Sequence, residues 1–138
     1  MAGSEQSRPP RAAAVPYLAV RGAREAVDWY GTVFGAVIEG EPFENDDGTI
    51  GHVALRVADG VFYLADEAPE YDAVAPTGPG AAVSLVLPVP DVEATFTTAV
   101  REGATPDHRG VHESNGELAA WFIDPFGHRW GVRSPLSP

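Results

Sequence analysis

The chain predicts an α+β fold in which one unit, a strand and a helix followed by three strands, is used twice. Two recurrences carry this. Gly35-Ala36 returns as Gly103-Ala104, and the turn Asp46-Asp47-Gly48 returns as Ser114-Asn115-Gly116, each about 68 residues further on. The segments around both pairs repeat the same order of periodicities, and the apolar stripe of the first helix meets that of the second after a shift of about 69. A repeat of this period signals a duplicated supersecondary unit. Two such modules in one chain favour a ligand pocket where they meet.

Each element has its own signal. Residues 1–14 are rich in Gly, Ser, Pro and Arg and are expected to form a disordered tail. Val15 to Val20 reads as a strand of β-branched and aromatic residues. Ala23, Val27, Tyr30 and Phe34 space a one-sided helix, and Gly35 stops it by taking the left-handed conformation. Ala36 to Phe43, Ile50 to Val57 and Val61 to Ala65 read as strands, joined by the turns Asn45-Asp46-Asp47-Gly48 and Asp59-Gly60. The first module therefore spans 15–66.

Residues 67–81 hold Pro69, Pro76, Gly78, Pro79 and Gly80 among acidic side chains and read as a linker. The pattern restarts over 82–133. Val83 to Val89 is a strand, and Asp91 is placed to cap a helix whose buried stripe is Val92, Phe96, Ala99 and Val100. Gly103 ends that helix. Ala104 to Val111, Glu117 to Ile123 and His128 to Val132 are the closing strands, and 134–138 is a C-terminal tail.

Composition narrows the function. The 138 residues carry a net charge of −11, and 44% are hydrophobic. A nucleic-acid groove needs a basic footprint, so that role is disfavoured, and an anionic membrane surface repels the chain. A basic small molecule is attracted. Without cysteine there is no thiol nucleophile, thiolate metal site or disulfide. No signal-peptide region or membrane-length apolar run is present, so a cytoplasmic protein is expected.

Four stretches in order resemble the vicinal oxygen chelate superfamily of glyoxalases, bleomycin-resistance proteins and extradiol dioxygenases. They are Val15-Pro16-Tyr17-Leu18, then Ala26-Val27-Asp28-Trp29-Tyr30 leading to Phe34-Gly35-Ala36, then Val89-Pro90-Asp91-Val92-Glu93-Ala94, and Asp124-Pro125-Phe126-Gly127-His128-Arg129-Trp130. Pro16-Tyr17-Leu18, Gly51-His52 and Gly127-His128-Arg129-Trp130 resemble the PhnB-like branch. The resemblance implies paired βαβββ modules whose mixed sheet curls around a cleft with the helices outside. It also implies a homodimer.

Metal-using members of the family keep His or Glu ligands on the first and last strand of each module. Mapped here, those positions are Val15, Tyr63, Ser84 (or Val83) and Gly131. Val15, Val83 and Gly131 have no side-chain donor, and Ser84 and neutral Tyr63 are poor ligands for the metals concerned. No metal and no cofactor are therefore expected. Of the histidines, His52 lies mid-strand, His108 and His112 share one strand face if no bulge intervenes, and His128 sits beside a turn. No nucleophile elbow or phosphate loop occurs.

Strand alternation puts Tyr17, Tyr63, Val86 and Arg129 on the face of the mapped metal positions, and His52 and Arg56 are candidates for the same face. Tyr17, His52, Arg56, Tyr63 and Arg129 are the expected ligand-binding residues. Trp121, Trp130, Phe62 and Leu64 are assigned to the opposite, core-facing side. Trp29 is read as partly core and partly a dimer contact, and Asp124 as stabilising its own turn. The expected function is metal-independent binding of a small cationic or aromatic molecule, as in drug sequestration. The alternatives are a lyase, isomerase or dioxygenase with non-standard metal ligands, acid–base chemistry at His52, and a module that binds a partner protein.

Overall fold

A computed structural model describes residues 13–136. The expected N-terminal tail lies outside them over 1–12. The first module runs β1 (Tyr17–Val20), α1 (Ala23–Phe34), β2 (Val37–Glu44), β3 (Ile50–Val57) and β4 (Gly60–Asp66). The second runs β5 (Ser84–Pro88), α2 (Val92–Arg101), β6 (Thr105–Pro106), β7 (His112–Ser114), β8 (Glu117–Ile123) and β9 (Arg129–Pro135). The strands form a four-stranded sheet ordered β1-β4-β3-β2 and a five-stranded sheet ordered β5-β9-β8-β6, with β7 also on β8. In each sheet the first strand lies parallel to the last and the remaining pairs are antiparallel. Among the described residues no helix is long and apolar enough to cross a membrane.

Helix α1 begins at Gly22, in the left-handed region with no side-chain cap of its own. Its first N–H groups are satisfied from outside: the Asp66 carboxylate, at the end of β4, accepts from Gly22 N (3.0 Å) and Ala23 N (2.9 Å). Its second oxygen accepts from Ile50 N at 2.8 Å, so one side chain ties helix, β4 and β3 together. An anion suits that position, since a helix start has unpaired donors and a positive dipole end. Helix α2 is capped locally as expected, Asp91 Oδ1 accepting from Ala94 N at 3.0 Å.

The helices cover one face of each sheet and leave the other open. Phe62, Leu64, Phe122, Trp130 and Val132 are buried with α1 and α2 in one continuous core. Tyr30 is its centre, 5.3 Å from Phe62 in the first sheet and 5.5 Å from Trp130 in the second. The junction of the modules is thus filled with aromatic side chains. Its polar pivot is Asp124, only 3% exposed. Asp124 Oδ2 accepts from the Tyr30 hydroxyl (2.5 Å) and from Trp130 Nε1 (2.8 Å), and Oδ1 accepts from Phe126 N and His128 N. It stabilises its own turn, as expected, and also fastens α1 of the other module to that turn.

Several expectations are corrected. Trp29 is 8% exposed and donates to the Glu102 carbonyl at 2.9 Å, so it is core throughout and is not a surface contact. The strand expected over 104–111 is cut short. Asp107 accepts from Arg109 N, and Gly110, with φ +61°, turns the chain before β7. This break separates His108, whose side chain is exposed, from His112, whose Nδ1 lies 2.9 Å from the Gly110 carbonyl. β9 extends two residues past 133, because Ser134 and Pro135 continue the ladder opposite Leu118 and Glu117. Residues 67–81 are partly ordered by a short 3₁₀ turn at Pro69–Tyr71 and a bridge between Ala68 and Ala73.

Candidate functional site

The open face of the first sheet carries a compact aromatic cluster. Tyr17 pairs with Tyr63 across β1 and β4, and Tyr63 with Ala54 across β4 and β3. His52, two residues before Ala54, therefore shares their face. The three rings meet edge to face, with centroids 5.5 Å apart for Tyr17–Tyr63, 5.4 Å for Tyr17–His52 and 4.9 Å for His52–Tyr63. Such contacts bring the positive edge of one ring to the negative face of another. The Tyr17 hydroxyl lies 2.8 Å from His52 Nδ1 and 3.3 Å from the Gly51 carbonyl. Burial, then the neighbouring Tyr63, raise the Tyr17 phenol above its ordinary value. Tyr17 is nonetheless 55% exposed, so the cluster is a surface a guest can reach.

Beside it lies a cavity of about 920 Å³ between Tyr17, the turn after β2 and the segment after β4. Its lining is acidic. Asp66 and Glu67 are engaged in the fold, Glu67 with Ala75 N and Arg21. Those two contacts, in that order, hold the Glu67 carboxyl below its usual range. Asp47, held low by hydrogen bonds from Thr49, braces its own turn. Asp46, Glu70 and Tyr71 complete this wall.

The open face of the second sheet is built differently. Trp121 pairs with Gly131 and not with Trp130, which sits opposite Phe122. The expectation that Trp121 is core is therefore wrong by one residue of register, and a slip of one turns a side chain to the other face. The Trp121 indole lies flat on Gly131: a Cβ added there would stand 2.5 Å from the ring. The Arg129 guanidinium sits over the same ring, 4.1 Å from its centroid, and Arg129 Nη1 donates to Ser84 Oγ at 2.8 Å.

Of the five residues expected to bind ligand, the fold brings Tyr17, His52 and Tyr63 into contact. Arg56 lies further along β3, paired with Glu39 at 3.1 Å. Arg129 belongs to the other sheet. Trp121 is the residue that strand-parity reasoning placed on the wrong side. The capping role of Asp66 is not legible in the sequence, because nothing local marks it as a cap for a helix 43 residues earlier.

The residues do not fit the metal of the enzymatic relatives. Val15 carries no side-chain donor atom. Tyr63 is part of the ring cluster, Ser84 is bonded to Arg129, and the space over Gly131 is taken by Trp121. Among the described residues, no three His, Asp or Glu side chains come together in a way that would hold a metal ion. His128 is engaged structurally, with Nε2 2.9 Å from the Ala19 carbonyl of β1.

Comparison with known proteins agrees with this architecture. The model of the glyoxalase/bleomycin resistance protein/dioxygenase superfamily matches residues 12–132, and the chain belongs to that superfamily. An uncharacterised protein of Mycobacterium bovis is 34% identical over 125 residues, which cover 88% of this chain and 82% of that protein. Two solved structures share the fold. TnmS3, an antibiotic-binding protein from Streptomyces sp. CB03234, superposes with a TM-score of 0.66 at 20% identity, covering 94% of this chain and all of that one. The PhnB protein of Bacillus cereus does so with a TM-score of 0.65 at 16% identity, covering 89% of this chain and 99% of that one.

Proposed function

We propose that this chain binds and sequesters a small molecule without using a metal. The observation that carries the reading is the Tyr17–His52–Tyr63 cluster: an exposed aromatic surface stands on the sheet face where catalytic relatives hold their ion. Aromatic walls with a few polar groups suit small-molecule recognition. The acidic lining of the adjoining cavity favours guests that carry positive charge as well as a flat ring, since low-dielectric walls of one sign focus the field. That an antibiotic-binding protein shares the fold supports the class of function. The reading includes a homodimer in the cytoplasm.

The test is calorimetric titration of metal-free protein with a panel of aromatic cationic antibiotics in the presence of a chelator. Saturable binding is expected, weakened at least about tenfold by Tyr17→Ala or Tyr63→Ala. Binding that requires added metal, or turnover abolished by chelator, refutes the reading.

One observation favours a second reading. The Tyr17 hydroxyl contacts His52 Nδ1 and orients the ring, as a partner orients a general base. Acid–base chemistry at His52 then predicts a turnover that is lost in His52→Gln and indifferent to chelator.

A further inference from the structure

The chain contains no lysine, and its acidic residues outnumber its arginines, 20 to 9. Carboxylates are in surplus, so an arginine without one is not explained by scarcity. Among the described residues, Arg21, Arg24, Arg56, Arg101, Arg109 and Arg133 each lie within ion-pair distance of an Asp or Glu. Arg129 does not. Its side-chain hydrogen bond goes to a neutral hydroxyl, Ser84 Oγ, and its guanidinium lies over the Trp121 ring.

We propose that Arg129 is the anchor of a binding site for the acidic group of a small molecule, a carboxylate or a phosphate, on the open face of the second sheet. The proposal rests on the reading that the open faces of this protein take up small molecules, and it names the chemistry of one of them. Three features of the structure support it. First, the guanidinium is preorganised. The indole beneath and the Ser84 hydroxyl beside it limit its rotamers, so little side-chain entropy is left to lose when a guest arrives. Gly131 makes this possible, because any side chain there would lift the indole off the sheet.

Second, one hydrogen bond to Ser84 leaves most of the five N–H donors of the guanidinium fork for an incoming group. A planar fork matches the two oxygens of a carboxylate or phosphate, and charge-assisted pairs of this kind are about twice as strong as neutral ones. Third, the carboxylate that strand pairing places on the same face, Glu117, is already held by Arg133. No described acid of the chain competes for Arg129. Val86, half exposed and opposite Gly131 on β5, offers an apolar contact for the body of the guest.

The experiment compares benzoate with benzamide, a neutral molecule of the same shape, and with phenyl phosphate. Binding is measured by calorimetry and by the NMR shift of the Arg129 Nε–H. Benzoate should bind roughly tenfold or more tightly than benzamide, as expected for one charge-assisted pair. It should shift the Arg129 resonance where benzamide does not. The preference should vanish in Arg129→Met and persist in part in Arg129→Lys, which keeps the charge and loses the fork. Phenyl phosphate binding above benzoate would identify a phosphate as the preferred group, and the reverse a carboxylate.

Equal affinity for benzoate and benzamide, or a preference that survives in Arg129→Met, overturns the proposal. An unmoved Arg129 resonance does so on wild-type protein, without reliance on a variant. An aromatic antibiotic that binds while no acid preference exists ends this inference and leaves the proposed function standing. A panel without any binder ends the proposed function, whatever benzoate does at Arg129.

Discussion

The contact between Trp121 and Gly131 decides why the second sheet holds an aromatic stack and no metal ligand, and it can be measured. In Gly131→Ala the new Cβ would stand 2.5 Å from the indole, well inside contact distance. The backbone of Gly131 lies outside the left-handed region, so the cost is steric and not conformational. The molecule has two responses. It can keep the indole in place and accept overpacking, at about 1–3 kcal/mol. It can let the half-exposed indole swing away, losing the Arg129 contact, worth about 0.5–1 kcal/mol at an exposed site, and the apolar contact with the strand. The cheaper response sets the result, so the loss should be about 1–2 kcal/mol. Urea unfolding of wild type, Gly131→Ala, Trp121→Ala and the double variant makes a closed cycle. The alanine at 131 should cost within about 0.5 kcal/mol of nothing once the indole is gone. An equal cost in both backgrounds would sink the reasoning.

Three other predictions follow from the polar contacts. Asp124→Ala strands the Tyr30 hydroxyl and the Trp130 N–H in the core and should cost about 3–5 kcal/mol by urea unfolding; a loss under about 1 kcal/mol would refute its role as the link between modules. Burial first, and then the Asp124 charge, push the Tyr30 phenol well above its ordinary value. The folded state thus holds this proton more tightly than the unfolded chain, so the contribution is intact below about pH 10 and fades as pH rises above it. Thermal unfolding between pH 9 and 11 should show a falling limb that Tyr30→Phe flattens. Hydrogen bonds from Arg109 hold the Asp107 carboxyl far below the usual carboxylate range. The turn at 107–110 should accordingly keep its amide protection above about pH 4 and lose it as pH drops further, a dependence that Asp107→Asn abolishes.

The module order, both helices, the Gly35 stop and the Asp91 cap were legible because each rests on neighbours within a few residues. That Gly131 and Val15 carry no side-chain donor was equally legible, since it follows from residue type alone. The misreadings share a cause. Strand alternation assigned Trp121 to the same side as Trp130, but the pairing across the turn at 124–127 sets Phe122 opposite Trp130 and Trp121 opposite Gly131. Turn geometry fixes register, and register fixes the face. The strand expected before β7 is cut short for a related reason: the Asp107–Arg109 contacts and Gly110 compete locally with the ladder.

Alone, the amino-acid order determined which segments become strands and helices, and that the unit occurs twice. Alternation and turn chemistry act over short distances, and a chain carries them without help. Tertiary structure decided what the open faces present. It brought Tyr17 to His52 across 35 residues and Ser84 to Arg129 across 45. It laid the Trp121 indole over Gly131, where a side chain would leave no room for it. Contacts of that separation depend on how strands pair and twist in space, and no local pattern in the chain encodes which side chain will lie against which.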